Sequence, residues 1–155
     1  MIHTSTRIFL GAAAGALSML LFHQTSLQVF FWLGLAPYPA FRLALVPPLG
    51  VPQIVSACFW AALVGGGYGA LMRQRGRYAW LTGLPLGMLG MLLIWFLVLP
   101  LKGQPAAFGW SMLPLVRSAI ASLMWGLGVG ILFPMLLPRR PRHDGKSWSQ
   151  RHIVV

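Results

Sequence analysis

The sequence predicts an all-α, polytopic membrane protein with four transmembrane helices. Two observations carry this. Hydrophobic residues make up 57% of the chain and charged residues only 8%, with a mean hydropathy of +0.74, outside the range of soluble domains. The apolar residues also gather into four stretches, each long enough for the about 20 residues that cross a hydrocarbon layer. They assign residues 1–138 to one transmembrane domain and 139–155 to a basic cytoplasmic tail. Little length is left for a soluble catalytic domain.

The first span is expected over 8–36, after Arg7, with Gly11 and Gly15 forming a GxxxG pair suited to close helix contact. Residues 8–22 also have the character of a signal-peptide core, but the apolar run resumes from Val29 to Leu35 and fits a tilted span better. Five prolines between Pro37 and Pro52 then stop any regular span. The segment 37–51 stays apolar and is expected to lie in the interface or to re-enter the membrane against protein.

The second span, 52–72, starts at Pro52 and carries small residues every fourth position at Ala57, Ala61, Gly65 and Gly69, before Arg73, Arg75 and Arg77. A third span, 78–101, holds the pair Gly83 and Gly87, with a bend expected at Pro85. Lys102 and a proline-bounded connection over 103–114 follow. The fourth span, 117–137, repeats the ladder at Ser118, Ser122, Gly126 and Gly130 and ends at the basic cluster around Arg139, Arg140 and Arg142. Trp32, Trp80 and Trp110 suit interfacial belts; Trp60, Trp95 and Trp125 are expected deeper, as packing bulk opposite the glycines. The tail is expected to be mobile except where Trp148 rests on the membrane.

Twelve Lys and Arg against the single acid Asp144 give a formal charge of +11. In a soluble chain that would suggest nucleic acid; here the cations flank apolar stretches, where they orient the protein and meet anionic headgroups of the bilayer. Nine fall on the side of both termini and three, Arg42, Lys102 and Arg117, on the other. That bias predicts a bacterial-type inner membrane protein with both termini cytoplasmic, and no nucleic-acid partner.

The chemistry open to the chain is narrow. No span contains a carboxylate, which argues against coupling through a buried acid and against paired-carboxylate catalysis. Cys58 stands alone, so neither a disulfide nor a cysteine metal site is expected. Two axial histidines for haem would need a second chain, because the spans hold only His23. The expectation is therefore no enzyme, no metal and no cofactor.

One polar interruption carries a cost that needs explaining: His23, Gln24, Ser26 and Gln28 within the first span. It either lines a cavity or ligand site, or forms interhelical hydrogen bonds, worth about 0.6–2 kcal/mol each, or meets interfacial water. Arg117, at the outer end of the fourth span, either snorkels to headgroups or turns inward to an anionic group.

Sliding the chain by 65 residues matches Trp60 with Trp125, Val64 with Val129, Gly65 with Gly130 and Leu71 with Leu136. With one added residue, Pro39–Pro47 also lies on Pro105–Pro114. Either the chain is a tandem repeat of two-helix units, related by an axis along the membrane normal, or Leu-, Gly- and Pro-rich sequences match by composition. A true repeat would place the second and fourth spans together at the centre.

The run from Gly67–Tyr68–Gly69 through Trp80–Gly87 and Leu99–Gly103 to a Trp-containing last span resembles the YagU-like family of uncharacterised small bacterial inner-membrane proteins, over about residues 60–130. The resemblance implies a four-helix inner-membrane protein and no particular activity. Taken together, the residues predict a non-enzymatic packing or accessory protein, acting as a homo-oligomer or as a subunit with a membrane-protein partner. The alternative is a small channel or carrier, which requires His23, Gln24, Gln28 and Arg117 to converge on one cavity.

Overall fold

The computed structural model describes residues 3–46, 50–72 and 78–138. The basic tail with Trp148, the arginines at 73, 75 and 77, and the prolines at 47 and 48 lie outside the described residues. Four helices are long and apolar enough to cross a membrane: α1 (Thr4–Trp32), α2 (Gln53–Leu71), α3 (Trp80–Leu101) and α4 (Met112–Leu136). A two-residue antiparallel ladder, β1 (Leu45–Val46) with β2 (Val51–Pro52), is the only sheet among the described residues.

Three helix boundaries differ from the sequence expectation by four residues or more: α1 begins at Thr4 rather than residue 8, and two others differ for a local reason. α1 stops at Trp32 because Gly34 adopts φ +71°, and the amides of Gly34 and Leu35 turn back to the carbonyls of Phe31 and Phe30. This is a left-handed glycine cap, which ends a helix whatever the hydropathy beyond it. α4 starts at Met112 because Pro114 falls in its first turn, where a missing N–H interrupts nothing. Arg117 consequently sits inside α4, in its second turn.

The same devices appear in both halves. α3 ends like α1, at Gly103 with φ +68°, where the Gln104 and Gly103 amides return to the carbonyls of Leu99 and Pro100. α1 contains a widened π turn at Met19–His23 and α3 another at Ile94–Val98. In α3 that turn spans Phe96, the residue whose carbonyl the Pro100 ring would otherwise strike. Phe41 and Phe108, which the sequence match aligns, both hold a left-handed backbone with φ of 58° and 52°. Left-handed phenylalanine is uncommon, so its recurrence at matched positions supports a tandem repeat over chance similarity.

Packing follows the glycines. A Cβ added to Gly11 would lie 2.9 Å from Gly69 Cα, and one added to Gly65 would lie 2.9 Å from Gly15 Cα, so α1 and α2 touch backbone to backbone. α3 and α4 meet in the same way: a Cβ on Gly83 would lie 2.9 Å from Gly130 N, and one on Gly126 would lie 2.7 Å from Gly87 Cα. Ser122 joins this contact through its carbonyl at Gly87, and Ala61 is buried opposite Gly15. Ala57 and Ser118 are half-buried.

These contacts correct the expected centre. α1 and α4, not α2 and α4, form the middle pair, and the helices are ordered α2–α1–α4–α3. α2 reaches α4 through the edge-to-face rings of Tyr68 and Phe133, and α3 through a hydrogen bond between Tyr68 and Thr82. The repeat register is corrected as well. Gly65 and Gly69 face α1 as Gly126 and Gly130 face α3, so Gly65 corresponds to Gly126, one helical turn from the match with Gly130. Small residues every fourth position make the two registers look alike in sequence; the contacts separate them.

Candidate functional site

The middle of the molecule is pinned by two polar contacts rather than opened by them. Ser18 Oγ donates to the Trp125 carbonyl at 2.6 Å, and Trp125 Nε1 donates to the Gly15 carbonyl at 3.1 Å. Both are buried and join α1 to α4 across the two halves. Of the three tryptophans expected as deep packing bulk, Trp125 is buried (5% exposed) and Trp95 is half-buried, with Nε1 on Ser118 Oγ. Trp60, at 62% exposed, instead faces outward.

The five residues of the proposed polar patch separate by role. Gln24 and Gln28, one turn apart on α1, accept the backbone N–H of Phe41 and of Ala40, each at 3.0 Å. Arg117 Nη1 donates to the Leu35 carbonyl at 3.1 Å. Three of the five thus hold the 33–46 connection against the helix ends, supplying partners that an irregular apolar loop needs near lipid. Ser26 Oγ turns back to the Phe22 carbonyl at 2.7 Å, within its own helix. His23 ends the widened turn, and its Nδ1 is buried without a hydrogen-bond partner. None of His23, Gln24 and Gln28 lines the cleft that the described residues form at the connection end.

What does converge is a basic cleft at the connection end. Leu27, Ala36, Pro37, Tyr38, Pro39, Arg42, Gln53 and Arg117 line a volume of about 190 Å³. The Arg42 guanidinium lies 4.2 Å from the centre of the Tyr38 ring, a cation–π contact that fixes its side chain at the rim. Arg42 and Arg117 thus line one cleft, and the chain's single acid, Asp144, is outside the described residues. Arginine forks suit carboxylate or phosphate oxygens. Sequence reasoning named Arg117 but used Arg42 for topology alone and left out Tyr38 and Gln53. The available signal was that Arg42 and Arg117 are two of only three cations on the minority side.

Among the described residues no three metal-ligating side chains lie together. Fold and site define a four-span helical membrane protein with a basic cleft at the loop-bearing end. Comparison of the chain with protein-family models, with curated proteins and with solved structures finds no match. The resemblance to the YagU-like family rests on the residues quoted for it.

Proposed function

We propose that this chain is a non-enzymatic packing protein of a bacterial inner membrane, with both termini cytoplasmic, that acts through lateral association of its flanking helices with other transmembrane helices. The supporting observation is uneven coverage. In α4, 44% of the apolar window is buried inside the chain, but in α3 only 11%. The small-residue ladders are filled within the chain, so a partner has to use the outer faces of α2 and α3.

Native mass spectrometry of protein extracted gently from its own membranes tests this. The expected result is a homo-oligomer or a stoichiometric foreign subunit; a lone monomer in lipid nanodiscs overturns it.

A second reading is favoured by the cleft alone: Arg42 and Arg117 hold an anionic group, such as a phospholipid headgroup, at the periplasmic face. Arg42→Gln with Arg117→Gln then lowers the anionic lipid that co-purifies with the protein. Unchanged lipid content counts against that reading.

A further inference from the structure

Gly67 is a transmembrane glycine with no internal explanation, and the repeat supplies one. Each half contains a Gly-x-Gly-x-Gly run: Gly65, Gly67 and Gly69 in α2, and Gly126, Gly128 and Gly130 in α4. The outer glycines of each run face the helix of their own half. The middle ones differ. A Cβ on Gly128 would lie 2.5 Å from the Phe22 ring and would also overlap Ser18 Oγ, so Gly128 is the notch into which α1 of the other half fits. A Cβ on Gly67 would meet nothing within 4 Å.

The surroundings of the two glycines correspond too. Residues one turn either side of Gly128, Met124 and Leu132, are half-buried. Their equivalents beside Gly67, Leu63 and Leu71, are 52% and 79% exposed, and Trp60 completes the face at 62%. α2 thus has the surface that α4 uses against α1, without an occupant. A glycine in a helix costs about 1 kcal/mol relative to alanine, and close approach of a second helix is what offsets that cost in a membrane.

The occupant follows from the same correspondence. Gly11 and Gly15 of α1 match Gly83 and Gly87 of α3, so Ser18 and Phe22, which fill the Gly128 notch, match Gly90 and Ile94. Within the chain α3 lies on the far side of α4 from α1, and it is the least covered helix. We propose that the α2 face at Trp60, Leu63, Gly67 and Leu71 docks on α3 of a second copy of this chain, at the exposed Leu93 beside Gly90, which Trp125 covers within the chain, in the manner of the α1–α4 contact made within each. The joined surfaces are unlike, so association is head-to-tail and adds copies in one sense, closing into a ring where the rotation allows.

This inference rests on the lateral-association reading and names its partner. The test combines native mass spectrometry of the full chain and of Gly67→Leu, in lipid nanodiscs, with cysteine crosslinking in membranes. For the crosslinking, Gly67→Cys and Leu93→Cys are placed in separate copies on a Cys58→Ala background. The proposal expects a homo-oligomer in the parent chain and loss of that oligomer in Gly67→Leu. It also expects a disulfide between the Gly67→Cys and Leu93→Cys copies that exceeds the Gly67→Cys self-pair by at least tenfold.

Gly67→Leu folds because its side chain enters open space, and its unchanged thermal unfolding as a monomer verifies that. An oligomer that survives Gly67→Leu, or equal crosslinking of the self-pair, overturns the docking. A foreign subunit displaced by Gly67→Leu overturns the second copy but keeps lateral association. A parent chain that is a lone monomer overturns both.

Discussion

Adding one methyl group at an outer glycine of one run, Gly126, and at the middle glycine of the other, Gly67, should have opposite effects. At Gly126 an alanine Cβ would lie 2.5 Å from Gly87 N and 2.7 Å from Gly87 Cα. Carbon atoms rest about 3.5–4.0 Å apart, and the obstructing atoms are backbone, which has no rotamer to escape into. α3 must therefore move away from α4 by about 1 Å, which forfeits a quarter to a half of the dispersion energy of each contact along the interface. Overpacking of this kind costs about 1–3 kcal/mol, occasionally more; alanine returns about 1 kcal/mol of helix propensity. With no side chain to yield, Gly126→Ala belongs at the upper end, a net destabilisation of about 2 kcal/mol.

Gly67→Ala meets nothing and has only the propensity gain, about 0.5–1 kcal/mol of stabilisation. Reversible unfolding in dilute mixed micelles, where copies are kept apart, measures both, with far-ultraviolet circular dichroism reporting the helices. Equal effects of the two variants, or a stabilising Gly126→Ala, would refute backbone contact as the basis of the fold.

Three further outcomes are expected. Trp125→Phe keeps the aromatic bulk but removes the donor to the Gly15 carbonyl, and should cost about 0.6–2 kcal/mol in the same unfolding assay. Gln24→Leu with Gln28→Leu leaves the Phe41 and Ala40 amides without acceptors, about 1–3 kcal/mol each where buried; hydrogen exchange over 36–46 should speed up at least tenfold while exchange in α4 is unchanged. Gly34→Ala and Gly103→Ala should each cost about 1–2 kcal/mol from backbone strain alone, and nearly equally, because both glycines have φ near +70° and open space around them. A large difference between the last two would show that the two caps are not equivalent.

Hydropathy made the four spans legible, since lipid imposes length and composition on a helix that crosses it. GxxxG spacing made the contact faces legible too: Gly11, Gly15, Gly83 and Gly87 meet backbone where the spacing placed small residues. Partner choice was not legible, because a small-residue ladder says that a helix comes close and not which one. Helix ends were misjudged where a single backbone conformation decided them, at Gly34 and Pro114. The partners of the polar patch were not legible for a related reason. A widened turn at Met19–His23 shifts every later side chain by one register position, and the loop amides that Gln24 and Gln28 accept come from residues 40 and 41, which helix periodicity cannot bring near. Arg42 escaped notice because its role depends on Arg117 across the fold.

The repeat also accounts for where the two halves differ. Ser18 and Phe22 of α1 need the notch at Gly128, and Trp125 fixes the register by bonding the Gly15 backbone while its ring rests against Gly90 of α3. Trp125 thus touches both neighbours of α4. Its equivalent in α2, by the register that pairs Gly65 with Gly126, is Val64, which has no ring to fill such a junction. The α4 position is therefore complete within one chain, whereas the α2 position keeps the notch and lacks the wedge. A chain built from two equal units joined head-to-tail ends with one unused surface of each kind, and here those surfaces fall on α2 and α3, the outer helices of the order α2–α1–α4–α3.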